Sequence, residues 1–136
     1  MTTVVLDNEA VQALVDPTHP KRRRVLAHVE GVATDRRRGL TRSLVVPATV
    51  RVEAGWDRTD PRCGSANRLT VRDHFLDRAT ANQAARIVGR TGVTPADAHV
   101  AVVAATAAPG DVVVLTSDTP DIARATDGRA VRVVRV

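Results

Sequence analysis

The chain has 136 residues, the size of a single domain, and 43% of them are hydrophobic, which is enough for a core. It has one Trp, one Phe and no Tyr, which argues against a nucleic-acid binder that stacks bases on aromatic side chains. Its net charge of +5 suits a phosphate-bearing partner, although 19 Arg against one Lys also fits GC-rich coding.

The sequence carries no sign of secretion or of a membrane anchor. Cys63 is the only cysteine, so no intramolecular disulfide can form, which suits a reducing cytosol. Residues 1–7 lack the positive segment and the long apolar run of a signal peptide. No stretch reaches the roughly 20 apolar residues that span a membrane. We therefore expect a cytoplasmic protein with no membrane partner.

Apolar runs alternate with helical patterns in the first half of the chain. Continuous apolar runs indicate strands that are buried on both faces, and a proline suits the first turn of a helix. The predicted elements are a strand at 4–6, a helix at 8–15, a helix from 20 to about 38, a strand at 44–46 and a helix from 47 through 56.

The same alternation continues after a polar stretch at 57–70, which predicts a loop or a loosely held insertion that contains Cys63. The later predicted elements are a short strand within 71–76, helices at 78–90 and 94–107, a strand at 112–115, a helix at 120–125 and an edge strand at 131–136. The helix at 94–107 is apolar nearly all round, so it should be buried. The pattern predicts one α/β domain over residues 1–136 with a parallel sheet.

Four acids are placed to meet at the carboxyl edge of that sheet, where ligands bind in such folds. Asp7 and Asp118 each follow a strand, and Asp97 lies in the first turn of the buried helix. Glu53 follows Val50 by three residues, so it should face inward, where an unpaired acid is costly. Taken singly, Asp7 and Asp118 could cap helices, and Asp97 could complete a capping box.

Taken together, the four acids favour a different interpretation. Converging carboxylates repel one another, and the usual reason to collect them is a hard divalent cation. Mg²⁺ or Mn²⁺ bound there would activate a water toward a phosphodiester. Two other classes with Asp at a sheet edge, receiver domains and haloacid-dehalogenase-type phosphatases, need a later Lys. The only Lys of this chain is Lys21, so both are excluded.

The acidic motifs resemble those of PIN-domain ribonucleases, in family order over essentially the whole chain. They are Val4-Val5-Leu6-Asp7, the Glu53 helix after Val45-Val46-Pro47, Thr94-Pro95-Ala96-Asp97-Ala98-His99-Val100-Ala101, and Val113-Val114-Leu115-Thr116-Ser117-Asp118-Thr119-Pro120-Asp121-Ile122. The resemblance implies a three-layer α/β/α fold with a five-stranded parallel sheet. It also implies endonucleolytic cleavage of RNA that depends on Mg²⁺ or Mn²⁺.

The resemblance also implies roles for individual residues. The catalytic and metal-binding acids would be Asp7, Glu53, Asp97 and Asp118. Either Ser117 or Thr116 would be the hydroxyl beside the fourth acid, and Asp121 would be an accessory acid. The chain departs from the family at Asn8-Glu9, where a small or hydroxyl residue is common. Glu9 could add a carboxylate to the site or stabilise its own helix, and we favour the helix.

The similarity is to the compact bacterial branch that includes toxins of toxin–antitoxin pairs. It implies a homodimer and a small antitoxin. Trp56 is a candidate anchor for such a partner, and the alternative is that Trp56 packs under the polar stretch at 57–70. Two basic runs should hold RNA around the acidic cleft: Lys21, Arg22, Arg23 and Arg24, and then Arg36, Arg37 and Arg38. The alternatives are a non-catalytic PIN-fold module that binds RNA or protein, and a nuclease that acts on DNA.

Overall fold

The fold is built on a parallel sheet in the computed structural model, which describes residues 2–108, 110–127, 129 and 131–136. Its strands are β1 (Thr2–Leu6), β2 (Arg42–Pro47), β3 (Arg72–His74), β4 (Val112–Thr116) and β5 (Arg132–Arg135). They lie in the order β3-β2-β1-β4-β5, and every neighbouring pair is parallel. The predicted sheet of about five parallel strands is confirmed.

Helices cover both faces of the sheet. Within the described residues they are α1 (Asn8–Val15), α2 (Arg22–Arg37), α3 (Ala48–Ala54), α4 (Gly64–Asn67), α5 (Arg78–Thr91), α6 (Pro95–Thr106) and α7 (Thr119–Thr126). The chain crosses from β1 to β2 in one direction and from β3 to β4 in the other, so right-handed crossovers place α1–α2 and α5–α6 on opposite faces. This is the predicted three-layer α/β/α architecture. None of the described helices is long and apolar enough to cross a membrane.

The core follows the apolar runs of the sequence. Every residue of β4 is buried, and Val5 at the centre of β1 pairs with Val45 on one side and Val114 on the other. Strands between two helical layers bury both faces, which explains why these runs do not alternate with polar residues. Helix α6 is buried from Ala96 to Ala104, as expected. Burying each of these aliphatic side chains stabilises the fold by about 1.5–3 kcal/mol.

Helix α3 is shorter than predicted. It ends at Ala54 because Gly55 adopts a left-handed conformation (φ 72°), which suits a residue without Cβ and turns the chain out of the helix. Trp56 therefore follows the helix and is only 2% exposed. Its indole N–H donates to Oδ1 of Asn67 at 2.7 Å, and the guanidinium of Arg58 lies 4.3 Å from its ring centroid. Of the two interpretations of Trp56, packing under the stretch at 57–70 is confirmed, and a role as the anchor of a docked partner is wrong.

The polar stretch at 57–70 is also more ordered than predicted. It contains a 3-10 turn at Pro61–Cys63, whose Asp60 side chain accepts from the Arg62 N–H, followed directly by α4. Cys63 is 3% exposed and Ala66 is fully buried, so the stretch packs onto the core. The expectation that Cys63 lies in a loose polar loop is wrong, because Cys63 and Ala66 are buried and Asn67 is hydrogen-bonded to Trp56 and Arg58.

Candidate metal centre

The acidic site lies at the carboxyl ends of β1 and β4. The chain changes its direction of travel across the sheet between these two strands, which is where ligands bind in open parallel sheets. A cleft of about 180 Å³ opens there. Its lining includes all four predicted acids, Asp7, Glu53, Asp97 and Asp118. The other residues that line it are Asn8, Glu9, Thr94, Ser117 and Asp121.

Asp7 is the most buried acid of the cleft, at 4% exposure. Its Oδ2 accepts a hydrogen bond from the Thr116 hydroxyl at 2.6 Å, whereas its buried Oδ1 has no partner among the described residues. Asp7 stands at the N-cap position of α1, yet its side chain makes no capping hydrogen bond, so the capping alternative is wrong for Asp7. A buried carboxylate oxygen without a partner is costly unless a cation compensates it.

Thr116 joins the first and fourth acids. Its hydroxyl donates to Asp7 and accepts from the backbone N–H of Asp118 at 2.9 Å. Thr116 is fully buried at the end of β4, whereas Ser117 is only half-buried and lines the cleft. Of the two predicted hydroxyls, Thr116 is therefore the one that orients the acids.

Asp97 is held at the start of α6 and is 7% exposed. Its backbone N–H donates to the Thr94 hydroxyl at 3.1 Å, so Thr94 caps the helix. Burial and the nearby carboxylate of Asp7 together raise the pKa of Asp97 to about 6, against the lowering effect of its hydrogen bond with Thr94. Burial also raises the pKa of Asp7. Two acids that resist ionisation thus face one cleft, and a bound cation would relieve both.

Asp118 and Asp121 bring two more carboxylates to the same place from the start of α7. Asp118 caps α7 by accepting from the Asp121 N–H at 3.3 Å, so its capping alternative is correct. One oxygen of each of Asp97, Asp118 and Asp121 lies within 4.8 Å of the other two. Asp121 also accepts from the guanidinium of Arg124, which lowers the pKa of Asp121. Asp121, predicted as an accessory acid, therefore belongs to this close set.

Glu53 lies at the rim of the cleft and is exposed, which corrects the expectation that it faces inward. Val50 is the only buried residue of α3. Helical spacing places Glu53 on the same side of the helix, but one turn later, where the helix has passed the edge of the core. The Oε1 of Glu53 accepts from Nδ2 of Asn8 at 2.6 Å, so the neighbouring amide fixes its position.

Glu9 also lines the cleft, and its carboxylate has partners. Its Oε1 lies 3.1 Å from Nζ of Lys21 and 3.5 Å from Nε2 of His19. Glu9 also stands in the first turn of α1, where an acid complements the helix dipole. These features support the interpretation that Glu9 stabilises its own helix. The ion pair with Glu9 also holds Lys21, the first residue of the basic runs, beside the cleft.

Arg22 turns inward, away from solvent. Its guanidinium donates to the carbonyls of Ala13 and Leu14, at 3.3 and 2.7 Å, and to the hydroxyl of Ser65 at 3.1 Å. These carbonyls are at the last turn of α1, where a cation also meets the negative end of the helix dipole. Arg22 is thus occupied with the fold, whereas its neighbours Arg23 and Arg24 are exposed.

We therefore expect Arg22→Gln to lower the free energy of unfolding by about 1.5 kcal/mol, because it removes charged donors from three acceptors. The matched control, Arg23→Gln, removes the same charge from an exposed side chain and should change it by less than about 0.5 kcal/mol. Urea denaturation measures both values. Equal values for the two variants would contradict the capping role of Arg22.

The second basic run lies at the wrong edge of the sheet for its predicted role. Helix α2 runs antiparallel to the strands, so it brings Arg36, Arg37 and Arg38 to the amino end of β2. Arg36 shares a surface groove with Arg42 and Arg72, the first residues of β2 and β3. The acids lie at the carboxyl ends. The expectation that Arg36, Arg37 and Arg38 flank the acidic cleft is therefore wrong.

A buried chain of hydrogen-bonding groups lies beside the site and was not predicted. Nδ1 of His99 lies 2.8 Å from the Thr49 hydroxyl, and its Nε2 lies 2.9 Å from Nδ1 of His74. Burial lowers the pKa of His99 to about 4, so the ring is neutral at pH 7. As its offset of two residues from Asp97 indicates, His99 faces away from the acids. It ties α6 to α3 and β3, the elements that carry Asp97, Glu53 and His74.

Comparison with known proteins does not identify the chain: no family model matches the sequence, and no curated protein matches it.

Proposed function

We propose that the protein is a metal-dependent endoribonuclease of the PIN-domain type. One observation carries the proposal. Oδ1 of Asp7 is buried without a hydrogen-bond partner, at a cleft whose other walls also carry carboxylates. Buried polar atoms are nearly always satisfied, so an unpartnered one at a cleft indicates a ligand-binding site, and next to other acids the ligand that fits is a cation. The order of the acidic motifs along the chain supports the same family.

The donor set of the cleft fits Mg²⁺ or Mn²⁺. All its charged donors are carboxylate oxygens, the ligands that these hard cations prefer, and no His or Cys lines the cleft in the part of the chain that the structure describes. Asp7, Asp97 and Asp118 would hold the cation, with Asp121 beside them and Glu53 at the rim. When bound, the cation supplies an activated water and neutralises charge on the scissile phosphate.

The contribution of the chain itself is to fix the carboxylates before substrate arrives. Thr116 holds Asp7 and the backbone of Asp118, and Asn8 holds Glu53. Supporting hydrogen bonds of this kind orient acidic side chains and are costly to remove. The four proposed acids come from β1, α3, α6 and α7, so their alignment depends on the packing of the whole sheet edge.

The direct test is incubation of the pure protein with labelled single-stranded RNA, hairpin RNA and single-stranded DNA, each with Mn²⁺, Mg²⁺ or EDTA. We expect internal cuts in RNA with Mn²⁺ or Mg²⁺ and none in EDTA. Cleavage that persists in EDTA contradicts the metal. Binding without products in every condition would favour a non-catalytic module, and preferential cutting of DNA would correct the substrate.

We extend the proposal to the toxin of a toxin–antitoxin pair that forms a homodimer, on the strength of the resemblance. An apolar surface near the site supports a protein partner, because Val52, Phe75 and Leu76 are 83%, 75% and 45% exposed. Leu76 also borders a groove of about 310 Å³ that is floored by Ala84 and Val88 of α5. Light scattering at micromolar concentration should report a dimer, and Phe75→Ser should weaken it. A monomer at all concentrations would remove the support for this extension.

A further inference from the structure

A long basic groove runs across the amino ends of β2 and β3, on the edge of the sheet opposite to the acids. It consists of two adjoining depressions of about 540 and 350 Å³, which share Arg36, Leu44 and Thr70. Five guanidinium groups line it, and we call it the arginine groove: Arg36, Arg37, Arg42, Arg68 and Arg72. The acidic cleft lies at least one strand length away, about 16 Å for the five residues of β1.

These arginines reach the groove from separate parts of the chain. Arg36 and Arg37 end α2, where cations complement the helix dipole, so these two have a structural explanation. Arg68 follows the last residue of the short helix α4, so it has a similar but weaker explanation, whereas Arg72 begins β3 and has none of this kind. Like charges gathered from distant segments repel, and an anion that enters between them relieves this repulsion.

Little in the groove neutralises this charge. Arg42 forms an ion pair with Asp35 at 2.5 Å, and Glu30 stands at one end. Within the described residues, Arg36, Arg68 and Arg72 form no salt bridge and donate no hydrogen bond that would occupy them. Their guanidinium groups are exposed to solvent and available to a ligand.

We propose that the arginine groove binds the phosphate backbone of single-stranded RNA, as a contact surface remote from the acidic cleft. A guanidinium group can donate two parallel hydrogen bonds to two oxygens of one phosphate. An open, elongated groove suits a chain of phosphates better than a single small anion. The lack of aromatic side chains favours contact with the backbone over contact with bases. The choice of RNA rests on the proposed function.

The test measures binding in EDTA, so it does not depend on cleavage. Fluorescence anisotropy of a labelled 20-nucleotide RNA is followed against salt for the wild type and for the double variant Arg68→Gln/Arg72→Gln. Each lost phosphate contact should flatten the plot of log affinity against log salt by about 0.7, so the double variant should lose about 1.4. We expect its Kd at 50 mM salt to rise about tenfold.

The matched control is Arg78→Gln/Arg86→Gln, which removes the same charge from two exposed positions of α5. It should leave the slope unchanged, and all three proteins should share one thermal midpoint. Equal losses in the two double variants would overturn the proposal, since net charge alone would then account for binding. Displacement of the RNA by polyglutamate at matched charge would assign the groove to an acidic peptide instead. If binding follows the expectation but no RNA is cut in Mn²⁺, the groove stands and the nuclease proposal fails.

Discussion

Asp97→Asn is expected to reduce metal-dependent RNA cleavage at least about 100-fold while the protein stays folded. Substituting groups that only support a metal ligand costs about 10–100-fold in activity, so the loss of a ligand itself should cost more. Asparagine keeps the size of the side chain, and Thr94 still caps α6 because that bond uses the backbone N–H of residue 97. Rates are measured under single-turnover conditions in Mn²⁺.

The control for this experiment is Asp127→Asn. It makes the same chemical change at the carboxyl end of α7. Asp127 is exposed there and adopts a left-handed conformation that asparagine tolerates. Its cleavage rate should equal that of the wild type. Equal rates for Asp97→Asn and the wild type would remove Asp97 from the site, and a loss in both variants would point to charge rather than to a ligand.

Relative to Asp97→Asn, the metal-free wild type should lose stability as the pH rises, and Mn²⁺ should restore it. The comparison with the variant is needed because the lowered pKa of His99 adds stability over the same pH range, equally in both proteins. The folded state holds a proton on Asp97 more tightly than the unfolded chain does, because the pKa rises from 3.8 to about 6. The stabilisation is therefore complete below about pH 4 and is lost as the pH passes 6, by at most about 3 kcal/mol. Thermal midpoints in EDTA between pH 4 and 7.5 measure this loss.

At pH 7.5, Mn²⁺ at about 100 times its Kd should stabilise the wild type by about 2.7 kcal/mol, or about 8 °C for a domain of this size. The thermal midpoint of Asp97→Asn should depend on pH and on Mn²⁺ in a different way. It should be more stable than the wild type in EDTA at pH 7.5, no more stable at pH 4, and nearly insensitive to Mn²⁺. A wild-type midpoint that ignores millimolar Mn²⁺ would contradict a formed site.

The positions of Asp7 and Asp118 could be predicted because they depend on local sequence and on one rule. Runs of Val and Leu mark buried parallel strands, and residues that follow such strands meet at one edge of the sheet. Asp97 could be placed as well, since the helix that carries it is apolar all round and must lie against the sheet. The fold class follows from the same alternation of elements.

The remaining features depend on how far an element extends. Helical spacing gives the side of α3 on which Glu53 lies, but it does not say that the core ends one turn earlier. The position of Arg36 depends on the direction of α2, which runs antiparallel to the strands and so ends at the amino edge of the sheet. The contact between His74 and His99 arises only when β3 is added beside β2, and nothing local to either histidine indicates it.

The hydrogen bond from Thr116 to Asp7 joins residues that are 109 positions apart. A chain emerging from the ribosome exposes Asp7 early, but Asp7 gains its orienting partner only after β4 has been synthesised and has paired with β1. Contacts of such long range form late in folding, after the costly closure of the intervening chain. Nascent and truncated chains that lack β4 therefore have no assembled acidic site, and any activity of the cleft begins only after β4 has paired with β1.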